Sequence, residues 1–121
     1  MTIAQAISRV DRLKYNAYSL EEKRSWLGAL EWLLKRNILD THEGGLSFCP
    51  IGPDTPADTR LLAPEPFDEL YPKWLEAQID LYNGETERYN ASILLFNAAY
   101  LAFESWYHRT YPPRGAGTWR V

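Results

Sequence analysis

Tyr89, Ile93, Phe96, Tyr100, Phe103 and Tyr107 recur at alternating gaps of four and three residues. This spacing places six large side chains on one stripe of an α-helix. A neighbouring stripe, Leu95, Ala99, Ala102 and Trp106, widens the apolar arc. A helix with so wide an arc must bury it against something, so the chain is predicted to be built around this element.

At 121 residues the chain is long enough for one domain with one modest core. An apolar fraction of 45% argues against wholesale disorder. Five Trp and eight Tyr are many for this length, and aromatics serve both cores and interfaces. The net charge of −3 argues against nucleic-acid binding by bulk electrostatics. Charge is unevenly placed: Arg109, Arg114 and Arg120 close the chain with no acid among them, after an acidic stretch from Asp54 to Glu87. One cysteine, Cys49, excludes an intramolecular disulfide and a multi-cysteine zinc site. The opening residues lack a secretory signal pattern, and no apolar run approaches bilayer length. The expectation is a soluble cytosolic chain with no membrane partner.

Four helices are predicted. The first runs from Thr2 to about Leu13, with Thr2 and Gln5 spaced as a capping box. Its apolar face is Ile3, Ala6, Ile7 and Val10. A second box, Ser19 and Glu22, opens a helix from Leu20 to about Ile38. Trp26, Leu27, Leu30, Leu33, Leu34 and Ile38 mark its buried side, with Lys23 and Glu31 among the residues facing away. The third starts near Pro66 and carries Leu70, Tyr71, Trp74, Leu75, Ile79 and Tyr82 inward. Pro72 interrupts it, giving either a separate first turn or a kink. Asn83-Gly84 ends it, and the fourth helix follows from about Glu85 to Arg109. So short a break makes the last two an antiparallel hairpin with a core of Trp74, Ile79, Tyr89, Ile93, Phe96, Tyr100 and Phe103. The fold class is therefore all-α: a helical body over 2–41 and 66–110, an arm or loop over 42–65, and a flexible tail over 111–121. The arm reads either as a small β-hairpin or as a loop packed by Phe48, Ile51 and Leu62. Asn90 and Asn97 fall near the aromatic stripe, where asparagine either sets register or faces solvent.

Chemistry is weakly signalled. Asp40, His42, Glu43 and Cys49 are close in sequence but match no zinc spacing. Cys49 with His42 or His108 lacks a third orienting group. No phosphate-binding loop is present. No catalytic, metal or cofactor-binding residue is predicted.

The run Phe67-Asp68-Glu69-Leu70-Tyr71-Pro72-Lys73-Trp74-Leu75-Glu76 leads through Tyr82-Asn83-Gly84-Glu85 to Phe96-Asn97-Ala98-Ala99-Tyr100 and Trp106-Tyr107-His108-Arg109-Thr110. With Ile3-Ala4-Gln5-Ala6-Ile7 and Asp40-Thr41-His42-Glu43, it resembles a family of small proteins encoded in phages and prophages of Gram-positive gut bacteria. Their setting is similar to that of head–tail connector (adaptor) proteins. The resemblance implies a non-enzymatic virion protein of the neck, assembled in the bacterial cytoplasm. It would form a homo-oligomeric ring between the portal protein and a tail or neck protein. Twelve-fold symmetry would match a portal. DNA would pass through the lumen without sequence-specific binding. Under this reading Phe48, Ile51, Leu61, Leu62, Arg109, Arg114, Trp119 and Arg120 are the expected partner contacts. A phage-encoded helical module that holds a host protein is the alternative.

Overall fold

A computed structural model describes residues 1–113. It contains four α-helices: α1 (Ile3–Leu13), α2 (Leu20–Asn37), α3 (Leu70–Tyr82) and α4 (Thr86–Thr110). The all-α expectation holds, and no strand forms among the described residues.

Local signals place the helix ends. At α1 the Gln5 N–H donates to Thr2 Oγ1 at 3.1 Å, while the Thr2 N–H donates to Gln5 Oε1 at 2.9 Å. The capping box is complete. At α2 the Glu22 N–H donates to Ser19 Oγ at 3.1 Å, but the Glu22 carboxylate accepts from the Ser19 hydroxyl, not from its backbone. The second box is thus half made. A 3₁₀ turn, Leu39–Thr41, continues α2. Another, Phe67–Glu69, runs directly into α3. Pro72 is consequently the third residue of α3, within the first turn, where a helix has no partner for its N–H. The proline therefore needs no kink.

The α3–α4 turn is a Schellman motif. The Gly84 N–H donates to Leu81 O at 3.1 Å and the Glu85 N–H to Asp80 O at 3.0 Å. Gly84 has φ +73°, which glycine adopts without a Cβ penalty. Two of the last carbonyls of α3 are satisfied in three residues, and the chain reverses.

α3 is the central element, contacting α1, α2 and α4. Its neighbours contribute Ile3, Ala6, Ile7 and Val10 from α1, and Leu27, Leu30 and Leu34 from α2. Phe96, Phe103 and Tyr107 fill the core from α4, Ile93, Tyr100 and Trp74 are half-buried against it, and Tyr89 is half-buried. Trp74 and Phe96 meet at 5.0 Å between centroids, Phe67 and Phe103 at 6.0 Å. The Trp74 indole donates to Trp26 O at 2.9 Å, which ties α3 to α2.

Two charged residues predicted to face away are buried instead. Lys23 pairs with Asp11 at 2.7 Å and so bridges α2 to α1. Glu31, 3% exposed, accepts from the Leu62 N–H at 2.8 Å and the Tyr71 hydroxyl at 2.6 Å. The Tyr71 oxygen in turn accepts from the Ala63 N–H at 2.8 Å. Helical spacing locates a face but does not reveal a polar partner arriving from elsewhere in the chain.

Residues 42–65 form a loop fastened to the body. The first two amides of α1 donate to it, Ile3 N to Thr59 O at 3.1 Å and Ala4 N to Ala57 O at 2.9 Å. The Leu61 N–H donates to Met1 O at 2.9 Å. Among the described residues its β-type pairing is limited to isolated bridges, Thr2 with Arg60 and His42 with Pro113. The β-hairpin alternative does not form.

Candidate interaction surface

α4 is amphipathic in an unusual way, because it is apolar on two sides. One stripe, with Phe96, Phe103 and Tyr107, faces the core. On the opposite side Ala91, Leu94, Leu95, Ala98, Leu101 and Ala102 are all exposed. Leu94, Leu95 and Leu101 keep 68%, 59% and 56% of their surface in solvent. The gaps of three and four between these residues again give one continuous stripe. Glu87 precedes it and Ser105 and Arg109 follow it, all exposed. The second stripe read from the sequence is thus divided. Ala99 and Trp106 turn inward and are half-buried, whereas Leu95 and Ala102 remain outside. A contiguous apolar face on a rigid 25-residue helix is the kind of surface that marks an interaction site.

The expected partner contacts separate into three groups. Leu61 and Leu62 are buried in the core beneath α1 and α3, so this conformation does not offer them to a partner. The reason is the Glu31–Tyr71 knot, which holds the backbone of residues 62 and 63 against the body. Phe48 and Ile51 are half-buried and partly accessible. Phe48 packs on Trp32 at 4.6 Å, with Lys35 Nζ over both rings. Ile51 rests on Gly28 of α2 and lines a shallow groove with Leu20, Arg24 and Pro53. Arg109 is exposed. Arg114, Trp119 and Arg120, with most of the expected tail, lie outside the described residues.

Tertiary packing brings His42 and His108 together, 66 residues apart. His42 Nε2 lies 2.7 Å from His108 Nδ1, and His42 Nδ1 lies 2.7 Å from Ile38 O. A nitrogen facing a carbonyl is the donor there. His42 also stacks edge-on against Tyr107 at 5.1 Å. With the Glu43 N–H donating to Pro112 O at 2.9 Å, this contact fastens the end of α4 to the end of α2. Cys49 is exposed, while His42 is only 1% exposed. Among the described residues no three His, Cys, Asp or Glu side chains converge as metal ligands. Asn83, Asn90 and Asn97 face solvent, and Asn83 Oδ1 accepts from the Tyr18 hydroxyl at 2.7 Å.

Sequence reasoning passed over Ala91, Leu94, Ala98 and Leu101 as a surface. The signal was there in their three–four spacing, but the louder aromatic stripe explained the helix without them. Trp32, half exposed beside Phe48, was missed because a lone outward Trp on α2 breaks no pattern. No described helix is long and apolar enough to cross a membrane. Compared with protein-family models, curated proteins and solved structures, the chain matches none.

Proposed function

We propose that this chain is a structural subunit that works by assembling with other chains, and specifically a head–tail connector subunit of a phage virion. The observation that carries the assembly reading is the outward apolar face of α4. Left bare, it exposes three leucines on a helix whose other side is already occupied by α3. Covering it by a neighbouring chain removes that area from water, which is the main favourable term in association.

The connector assignment rests on the resemblance of the helical hairpin and of the α1 and Asp40–Glu43 segments. Its physical requirements suit the fold. A ring subunit needs a stiff body, and this one is cross-tied by Glu31–Tyr71, Lys23–Asp11 and Lys14–Asp80. It needs lateral faces that repeat around an axis, for which the α4 face and the Trp32–Phe48 patch are available. It also needs charged ends to meet different partners. Arg109 at the end of α4 suits an acidic portal surface, and the acidic stretch suits a lumen that conducts DNA without holding it.

The test is co-purification with a phage portal protein, followed by electron microscopy. A joint ring complex is expected, and the chain should be present in several copies in purified virions. A protein absent from virions and never joined to the portal would refute the connector reading. Capture of a host protein from infected cells would then point to the regulator alternative.

A further inference from the structure

Glu87, Ala98 and Arg109 sit on the same outward line of α4. Glu87 lies eleven residues before Ala98 and Arg109 eleven residues after it, and eleven residues make close to three helical turns. The apolar face thus has an acid at one end, a base at the other and a small residue at its midpoint. We propose that in the free protein this face is covered by the α4 of a second copy, packed antiparallel about a two-fold axis at Ala98. The inference rests on the reading of the face as an assembly surface and adds the partner and the geometry.

Charge decides the direction. Antiparallel pairing centred on Ala98 sets Glu87 of each copy beside Arg109 of the other, twice per dimer. Parallel pairing sets like charge beside like at both ends. The same two-fold axis sets Leu94 opposite Ala102, Leu95 opposite Leu101 and Ala91 opposite Ser105. Leucine therefore meets alanine in the Leu94–Ala102 layers and leucine in the Leu95–Leu101 layers, while Ala98 meets itself and Ala91 meets Ser105, so the backbones can approach closely at the centre. The helix dipoles also oppose. Arg88 does not compete for Glu87, because it is engaged by Glu85 at 3.1 Å in its own chain. Such an interface is isologous and closes at two copies. It spans one helix pair about 33 Å long, at the small end of specific interfaces, so the dimer should dissociate at micromolar concentrations. A weak dimer keeps the face covered until the portal offers a stronger site, and it prevents free subunits from growing into rings by themselves.

The full-length chain should be examined by sedimentation velocity over a wide concentration range. The expected result is a reversible shift from the 14.0 kDa monomer to twice that mass. Glu87→Arg and Arg109→Glu should each weaken the dimer about tenfold or more, and the double swap should restore it, as expected of a close charge pair. Leu101→Ser should weaken it while leaving the far-UV melting of the monomer unchanged, since Leu101 is exposed. A monomer at every concentration overturns the inference, whether the face stays bare or residues beyond 113 cover it. So does a dimer indifferent to the single swaps, or one that the double swap does not rescue. A portal complex formed by a strictly monomeric chain would remove the dimer and leave the connector reading standing. A rescued dimer that never joins a portal would support the pairing and remove the connector.

Discussion

Phe103→Ala tests the helical hairpin most directly. Phe103 is fully buried and packs near Phe67, Trp106 and Tyr107, with centroids at 6.0, 6.0 and 5.9 Å. Truncation removes a ring from between α4 and the turn that begins α3. The neighbours that would have to collapse into the space are themselves aromatic and held elsewhere. The Tyr107 oxygen accepts from the Leu46 N–H at 3.2 Å, and Trp106 packs on Tyr111. Little relaxation is therefore available, which places the cost at about 3–5 kcal/mol, the range for buried Phe→Ala. A domain of this size has a total stability of roughly 6–18 kcal/mol, so the variant should still fold, with a midpoint lowered by about 10–20 °C. The assay is urea and thermal unfolding followed by far-UV circular dichroism, run beside Leu101→Ala on the opposite face of the same helix. Leu101→Ala should lie within about 0.5 kcal/mol of wild type at monomeric concentrations. Equal effects of the two variants, or wild-type melting of Phe103→Ala, would mean that the aromatic stripe does not face the core.

Other outcomes follow from the buried polar groups and the loop. Burial holds the Glu31 carboxyl above its ordinary value of 4.5, against the opposing hydrogen bonds from Tyr71 and Leu62. The native state therefore keeps the proton longer than the unfolded chain. This contribution is complete below 4.5 and is lost as pH rises through the raised native value. The stability difference between wild type and Glu31→Gln should shrink over that window; a difference flat with pH would contradict the burial effect. Asp80 is 1% exposed and is held by Lys14 at 2.6 and 2.8 Å and by Ser92 at 2.6 Å. Ser92→Ala removes one hydrogen bond of three and should cost about 1–2 kcal/mol, whereas Lys14→Met leaves a buried carboxylate without its cation and should cost about 3–5 kcal/mol. Urea midpoints that do not separate the two variants would show the ion pair to be incidental. Gly45→Ala should destabilise by more than about 1 kcal/mol, because φ is +88° and the Tyr107 hydroxyl occupies the place of a Cβ. Gly44→Ala, with φ +68° and open space, carries only the backbone part of that cost, so equal melting of the two would count against the close contact.

Periodicity, capping spacing and one glycine were enough to establish the four helices, their order and the reversal between the last two. These are local properties, set within a few residues by backbone geometry and by which face carries carbon. Thr2 with Gln5, Asn83-Gly84 and the Tyr89–Tyr107 stripe could each be read without a neighbour. The same spacing could not tell which apolar residues of α4 would be covered, since both sides of the helix carry them. Only the docking of α3 on one side left Leu94, Leu95 and Leu101 outside. Nor could it foresee that Lys23 and Glu31 turn inward, that residues 61–63 enter the core, or that His42 meets His108. Each of these depends on a partner more than ten positions away, brought there by the fold, and a polar residue's burial is decided by that partner.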